Sequence, residues 1–177
     1  MADSRNTTCN VSNPRADVSA SEARRLFSYD ADTGVVTWQG SKQKARNGSR
    51  AGYVHSLGHR YICFNGHNYK EHRVAWLIHF GQWPERQVDH INGDHADNRI
   101  SNLRLATGTQ NQANKGLQRN NTTGFKGVGY RPDRGFFAII KKDRKSHYLG
   151  QFNTAEEAHA AYCAAAKRLF GEFARTA

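Results

Sequence analysis

Cysteine is scarce in this chain: three in 177 residues, at Cys9, Cys63 and Cys163, with no C-x-x-C pair. That pattern excludes a cysteine-based zinc site and supplies no disulfide framework, so free thiols are expected. No apolar run approaches the roughly 18 residues of a membrane-spanning helix, and "MADSRNTTCNVSNPRADVSA" lacks the apolar centre of a signal peptide. A soluble, intracellular protein without a membrane partner is expected, and the sequons at Asn6 and Asn120 then carry no consequence. Acidic residues are also few, with 15 Asp and Glu against 26 Lys and Arg, a net charge of +11 and a pI near 9.9. Such a surplus favours a polyanionic partner, above all nucleic acid.

The length allows one ordinary domain or two small ones, and composition favours two. Residues 1–18 are polar and patternless, which predicts disorder. From Ser19 the chain reads as a capped helix, "SASEARRLF", then a hairpin, "YDADTGVVTW", turned at "DTG". The segment "SKQKARNGSR" reads as a basic surface loop with phosphate contact as the alternative. A strand, Tyr61 to Phe64, an "NG" turn and an apolar helix around Val74 to Phe80, closed by Gly81, follow. Thr107 and Gln110 make a capping box for a short polar helix that Gly116 is expected to end.

Between these elements lies "VDHINGDHADNRISNLRLAT", residues 88–107. Asp89 and His90 are adjacent, Asn102 lies 12 residues past His90, and Asn111 lies 9 further on, early in the short helix. A loop folding back on that helix brings a carboxylate, an imidazole and an amide oxygen together, the groups needed for metal-assisted phosphodiester hydrolysis. A hard divalent cation is served by Asp89 and the Asn111 oxygen, and His90 is suited to general-base work near neutral pH. Asn98 and Asp94 read as turn formers, His95 as a loop residue with ligation the alternative, and His72 as a packing residue. The remaining histidines, His59 among them, lack ligand spacing. Trp38, Trp76 and Trp83 read as core.

The pattern D-H-I-N-G-D…D-N-R-I-S-N-L-R…N-Q-A-N resembles the HNH nucleases, most of all freestanding phage homing endonucleases, and with the upstream segments the resemblance covers about residues 20–115. It implies a ββα-metal (His-Me finger) fold, Asp89 and Asn111 as metal ligands, His90 as general base and Asn102 as the asparagine that holds the loop. It also implies cleavage to 5′-phosphate and 3′-hydroxyl ends. Ligation by Asp89 and Asn111, where other members use histidines, favours Mg²⁺ or Mn²⁺.

Residues 116–123 read as a linker. From Gly124, three strands ("GFKGVGY", "GFFAIIKK", "HYLGQF") precede a helix that Thr154 and Glu157 cap and Gly171 ends. Residues 115–177 hold 12 Lys and Arg against 5 Asp and Glu, most of the chain's net charge. This region resembles the Apetala-two (ethylene-response-factor) DNA-binding domain, whose sheet enters the major groove. The resemblance implies DNA contacts from Lys126, Tyr130, Arg131, Lys141 and Tyr148; Lys142 joins them through the basic turn "KKDRK". Gly129, Asp133 and Ile139 stand where the plant domains have arginine, tryptophan and glutamate, so the plant target site is not inherited.

The expected fold class is α+β: an HNH domain over 19–115, a linker, and a three-stranded antiparallel sheet packed on one helix over 124–177. The expected function is a metal-dependent endonuclease on double-stranded DNA, a monomer or homodimer with no protein partner implied, in the cytoplasm of a bacterial host if phage-encoded. A DNA-binding protein with an inactive nuclease motif is the alternative, and an RNA-directed role is weaker because an A-form major groove is too narrow for a sheet.

Overall fold

In the computed structural model residues 18–55 and 58–176 are described. The expected disorder of residues 1–18 lies outside them except at Val18, which is buried and whose carbonyl accepts a hydrogen bond from Trp83 Nε1. Among the described residues the fold is mixed, with helices and four small sheets, of which β1–β2, β3–β4–β5 and β8–β9–β10 are antiparallel. Two compact units part between Leu105 and Ala106. No described helix is long and apolar enough to cross a membrane.

The N-terminal unit opens with helix α1 (Ala20–Leu26), started by the Ser19 hydroxyl accepting from Glu22 N–H. Strands β1 (Phe27–Tyr29) and β2 (Val36–Trp38) form the expected hairpin. A second sheet orders β3 (Tyr53–Val54), β4 (Arg60–Phe64) and β5 (His67–Lys70). Asn65 and Gly66 both take positive φ between β4 and β5, the left-handed pair that a two-residue hairpin needs. Helix α2 (Glu71–Phe80) ends at Gly81 with φ 79°.

Phe27, Val36, Ile62, Val74 and Leu77 fill the core, with Trp38 and Trp83 packed against it. Fully buried Glu71 opens α2 and is bonded by Arg60, which fastens the helix to β4. Burial pushes the Glu71 carboxyl up against the opposing pull of Arg60. Free thiols hold at Cys163 but not at Cys63, which is disulfide-bonded; sequence spacing does not report which thiols meet in space. Cys9 lies outside the described residues.

The stretch from 88 to 107 is less loop-like than its composition suggests. Strand β6 (Gln87–His90) carries Asp89 and His90 and pairs with β7 (Leu103–Ala106).

The C-terminal unit begins with helix α3 (Gly108–Ala113), whose Thr107 and Gln110 form the reciprocal capping box. It stops at Ala113, before the expected terminator Gly116, because Asn114 already caps it. Strands β8 (Val128–Arg131), β9 (Gly135–Lys142) and β10 (Lys145–Phe152) make an antiparallel sheet in the order β10-β9-β8. Helix α4 (Ala155–Phe170) covers one face: Ala158, Tyr162, Ala165 and Ala166 share a core with Val128, Ala138 and Ile140.

The hairpin turn of β1–β2 braces the polar segment. Tyr29 Oη donates to Asn98 O at 2.8 Å, and Ile100 N donates to Ala31 O at 3.0 Å. Gly34, at φ 73°, lies so close that a Cβ would sit 2.4 Å from Arg99 N. Gly34→Ala therefore combines backbone strain with a collision against backbone, and a loss of about 2 kcal/mol is expected in denaturant unfolding. An unchanged unfolding midpoint would show that the turn does not brace this segment.

Candidate active site

Asp89 and His90 are about 4% and 3% exposed at the end of β6. Val88, Asp89 and His90 are buried in succession, so both faces of the strand's end are covered, and burial of the two polar groups is costly unless each is paired. Asp89 Oδ2 accepts from Arg104 Nε at 2.9 Å, an ion pair running between the two strands. His90 Nε2 lies 3.0 Å from Asn98 Oδ1, and Asn98 is only 1% exposed. Burial holds the His90 imidazole below its ordinary pKa, and the Asn98 contact partly opposes that shift. His90 is thus neutral at pH 7, the form in which an imidazole accepts a proton.

Between the strands the chain makes a 12-residue excursion closed by Asn102. Asn102 Nδ2 donates to Asn92 Oδ1 at 3.0 Å and to Asp97 O at 2.8 Å. Its Oδ1 accepts from Asn92 N at 3.0 Å, and its backbone oxygen accepts from Ile91 N at 2.9 Å. Asp94 accepts from Ala96 N, the expected turn role. Asp97 and Arg99 pair through two hydrogen bonds, which hold the Asp97 carboxyl down at about 2.

Asp89, His90 and Asn102 are therefore gathered on one strand–excursion–strand segment of the N-terminal unit. Asn111 is half-buried on α3, in the C-terminal unit. Two further groups escape sequence reading. Asn98 reads as a turn former, yet its side chain meets His90; only its place in the polar run hinted at this. His59 and His72 lie 31 and 18 residues before His90, but their rings stand 6.1 and 5.0 Å from its ring, with His95 stacked on His59 at 4.0 Å. Among the described residues no group of three or more His, Cys, Asp or Glu is arranged to hold a metal ion.

In the C-terminal unit, strand register sorts the expected DNA contacts by face. Tyr148 pairs with Ile139 and Arg131 with Gly135, so Arg131, Ile139, Lys141 and Tyr148 share the face opposite α4. Arg131 stacks over the Phe137 ring at 5.0 Å, and a Cβ at Gly129 would meet that ring at 2.4 Å. Tyr130 and Lys142 alternate toward the other face, where Tyr130 nonetheless stays half exposed beside Phe136. Lys126 precedes β8 and is turned onto two backbone carbonyls.

Residues 69–113 match the family model described as HNH endonuclease. That segment is similar to HNH endonuclease domains. An uncharacterized HNH endonuclease of Acanthamoeba polyphaga mimivirus is 39% identical over 105 residues, covering 58% of this chain and 54% of its own length. An ethylene-responsive transcription factor of Arabidopsis thaliana is 42% identical over 116 residues, with 58% and 45% covered. Protein 3.8 of Escherichia phage T7 is 28% identical over 108 residues, with 60% and 88% covered. The chain spans about half the length of the first two relatives. No solved structure gives a significant match. Over the matched residues the chain is thus similar to nucleases of the HNH family.

The histidines around His90 make the N-terminal unit acid-sensitive. Burial holds His59 down at about 4 and His72 well below its ordinary value. Both are neutral in the fold but take up protons near pH 6.5 once unfolded, so stability falls with falling pH. Thermal unfolding of the full chain should show the midpoint dropping between pH 6.5 and pH 5, above the carboxylate range. A flat midpoint across that window would contradict the burial of these rings.

Proposed function

We propose that the protein is a metal-dependent endonuclease that hydrolyses phosphodiester bonds of double-stranded DNA, in the manner of homing endonucleases, with the C-terminal unit as its DNA tether. The observation that carries the reading is the buried His90 on β6, neutral and backed by Asn98, inside a segment matching the HNH endonuclease family. In this reading the ββα-metal arrangement is β6, β7 and α3 in chain order, and the linker is the polar run 116–123.

Asp89 and Asn111 would hold the cation, Mg²⁺ or Mn²⁺, since a carboxylate and an amide oxygen suit a hard ion that keeps several waters. When bound, that ion supplies Lewis-acid polarisation of the scissile phosphate and charge neutralisation at the leaving oxygen. His90 does the proton work: with Asn98 Oδ1 accepting from Nε2–H, the lone pair sits at Nδ1, which takes a proton from the attacking water. The products are a 5′-phosphate and a 3′-hydroxyl. Asn102 holds the excursion that frames His90. One site cuts one strand, so each active site nicks, and a monomer or homodimer inside a host cell fits the reading.

Arg131, Lys141 and Tyr148 on the open face, with Tyr130 and Lys142 at its margin, supply the DNA contacts. The net positive charge of the C-terminal third and the resemblance of the Arabidopsis relative support that assignment.

Supercoiled plasmid incubated with Mg²⁺, Mn²⁺ or EDTA tests the proposal. Wild type should convert it to open circle only with metal, and His90→Ala should lose at least about 100-fold in rate while binding DNA normally. Log affinity should fall against log salt with a slope of about −4 to −7, as about 5 to 8 phosphate contacts require. Salt-sensitive binding without any metal-dependent nicking would instead favour a DNA-binding protein with an inactive HNH motif.

A further inference from the structure

Lys126 is assigned to DNA by the resemblance of the last third, but its surroundings are those of a clamp. Its Nζ donates to Ala113 O at 2.6 Å and to Arg175 O at 2.8 Å, and it stands 5.9 Å from the Tyr162 ring. The side chain is half-buried, and burial pushes the ammonium down to about 8. A lysine that reads phosphate is a hydrated, mobile point charge. This one commits two of its three donors to carbonyls of its own chain.

One of those carbonyls belongs to the last residue of α3. The final carbonyls of a helix have no partner within it and must find one elsewhere. Ala113 O is met twice, by Lys126 Nζ and by Arg175 N at 3.3 Å. At the opposite end Thr109 Oγ1 donates to Asp143 Oδ1 at 2.9 Å, and Asp143 sits with φ 49° in the β9–β10 turn. Ala113 itself packs in the core beneath α4. A six-residue helix is too short to persist on its own propensity, so its placement comes from such anchors. Asn111 lies between the two anchored ends.

We propose that Lys126 is a positioning residue for Asn111: by clamping the C-terminal carbonyl of α3 it sets where the Asn111 amide is presented, and it makes no contact with DNA. The proposal rests on the reading of Asn111 as a metal ligand. It separates Lys126 from Arg131 and Lys141, which the same resemblance groups with it.

The test uses the full chain as wild type, Lys126→Met, Lys126→Arg, Thr109→Val and Lys141→Met. Two properties are read: duplex affinity in EDTA across a salt series, and broadening of the Asn111 side-chain amide signals by added Mn²⁺ without DNA. Lys126→Met should bind duplex within about twofold of wild type with an unchanged salt slope, whereas Lys141→Met should weaken binding and make the slope shallower by about one. Half-maximal broadening should need at least about tenfold more Mn²⁺ in Lys126→Met, and Lys126→Arg, which keeps the donors, should recover most of that loss.

Thr109→Val loosens the other end and should shift the Mn²⁺ dependence in the same direction, so the proposal survives a Lys126→Met chain that fails to fold. Lower affinity with a shallower slope in Lys126→Met would make it a phosphate contact and overturn the proposal. Broadening in wild type that neither variant changes would overturn the proposal alone. Absence of Asn111 broadening in wild type would overturn the metal-ligand reading and the proposal with it.

Discussion

One side-chain amide closes the part of the molecule where the chemistry is read. The excursion from His90 to Asn102 contains no strand or full helical turn, only a short 3₁₀ turn, Ile100–Asn102, at its end. Asn102 substitutes for regular structure there, reaching Asn92 on one side and the Asp97 carbonyl on the other. An amide is suited to this because it donates and accepts from one planar group, whereas a carboxylate only accepts. With the excursion closed, Asn98 falls back under His90 and the β1–β2 turn can brace it through Tyr29 and Gly34. The local order of His90 is therefore inherited from the loop more than from the four-residue strand that carries it.

The C-terminal unit solves a different problem with alternation. Its inner face is small and apolar, Ala138 and Ile140 beneath the alanines of α4, which lets sheet and helix approach closely. The outer face carries Arg131, Phe137, Ile139, Lys141 and Tyr148, a mix of cation, ring and aliphatic surface. Gly129 is part of this design: without a side chain, it admits the Phe137 ring over its Cα, and Arg131 lies on that ring. A side chain at 129 would displace both, which is a physical reason why the arginine of the plant domains has no equivalent here.

Much of this was legible from sequence where the signal is local. Thr107 with Gln110 and Thr154 with Glu157 are capping boxes in the structure as in the sequence, and "NG" at Asn65–Gly66 turns the β4–β5 hairpin. That Asp89, His90 and Asn102 belong to one polar segment was legible because they lie close together along the chain. What was not legible depends on contacts far apart in sequence. His59 and His72 reach His90 from a strand start and a helix start, and Lys126 is claimed by the carbonyls of Ala113 and Arg175. Strands β6 and β7 hid because their polar residues look like loop until pairing buries Asp89 against Arg104.

The central claim of the proposed function is that this loop, held by one amide, places His90 to act as the base. Its most direct test is the single-turnover nicking rate of Asn102→Ala with saturating Mn²⁺, read beside duplex affinity in EDTA. The account predicts a rate at least about 100-fold below wild type with affinity unchanged, the pattern of a lost transition-state geometry. A rate within a few-fold of wild type would contradict it, because His90 would then be placed without the network on which the description depends.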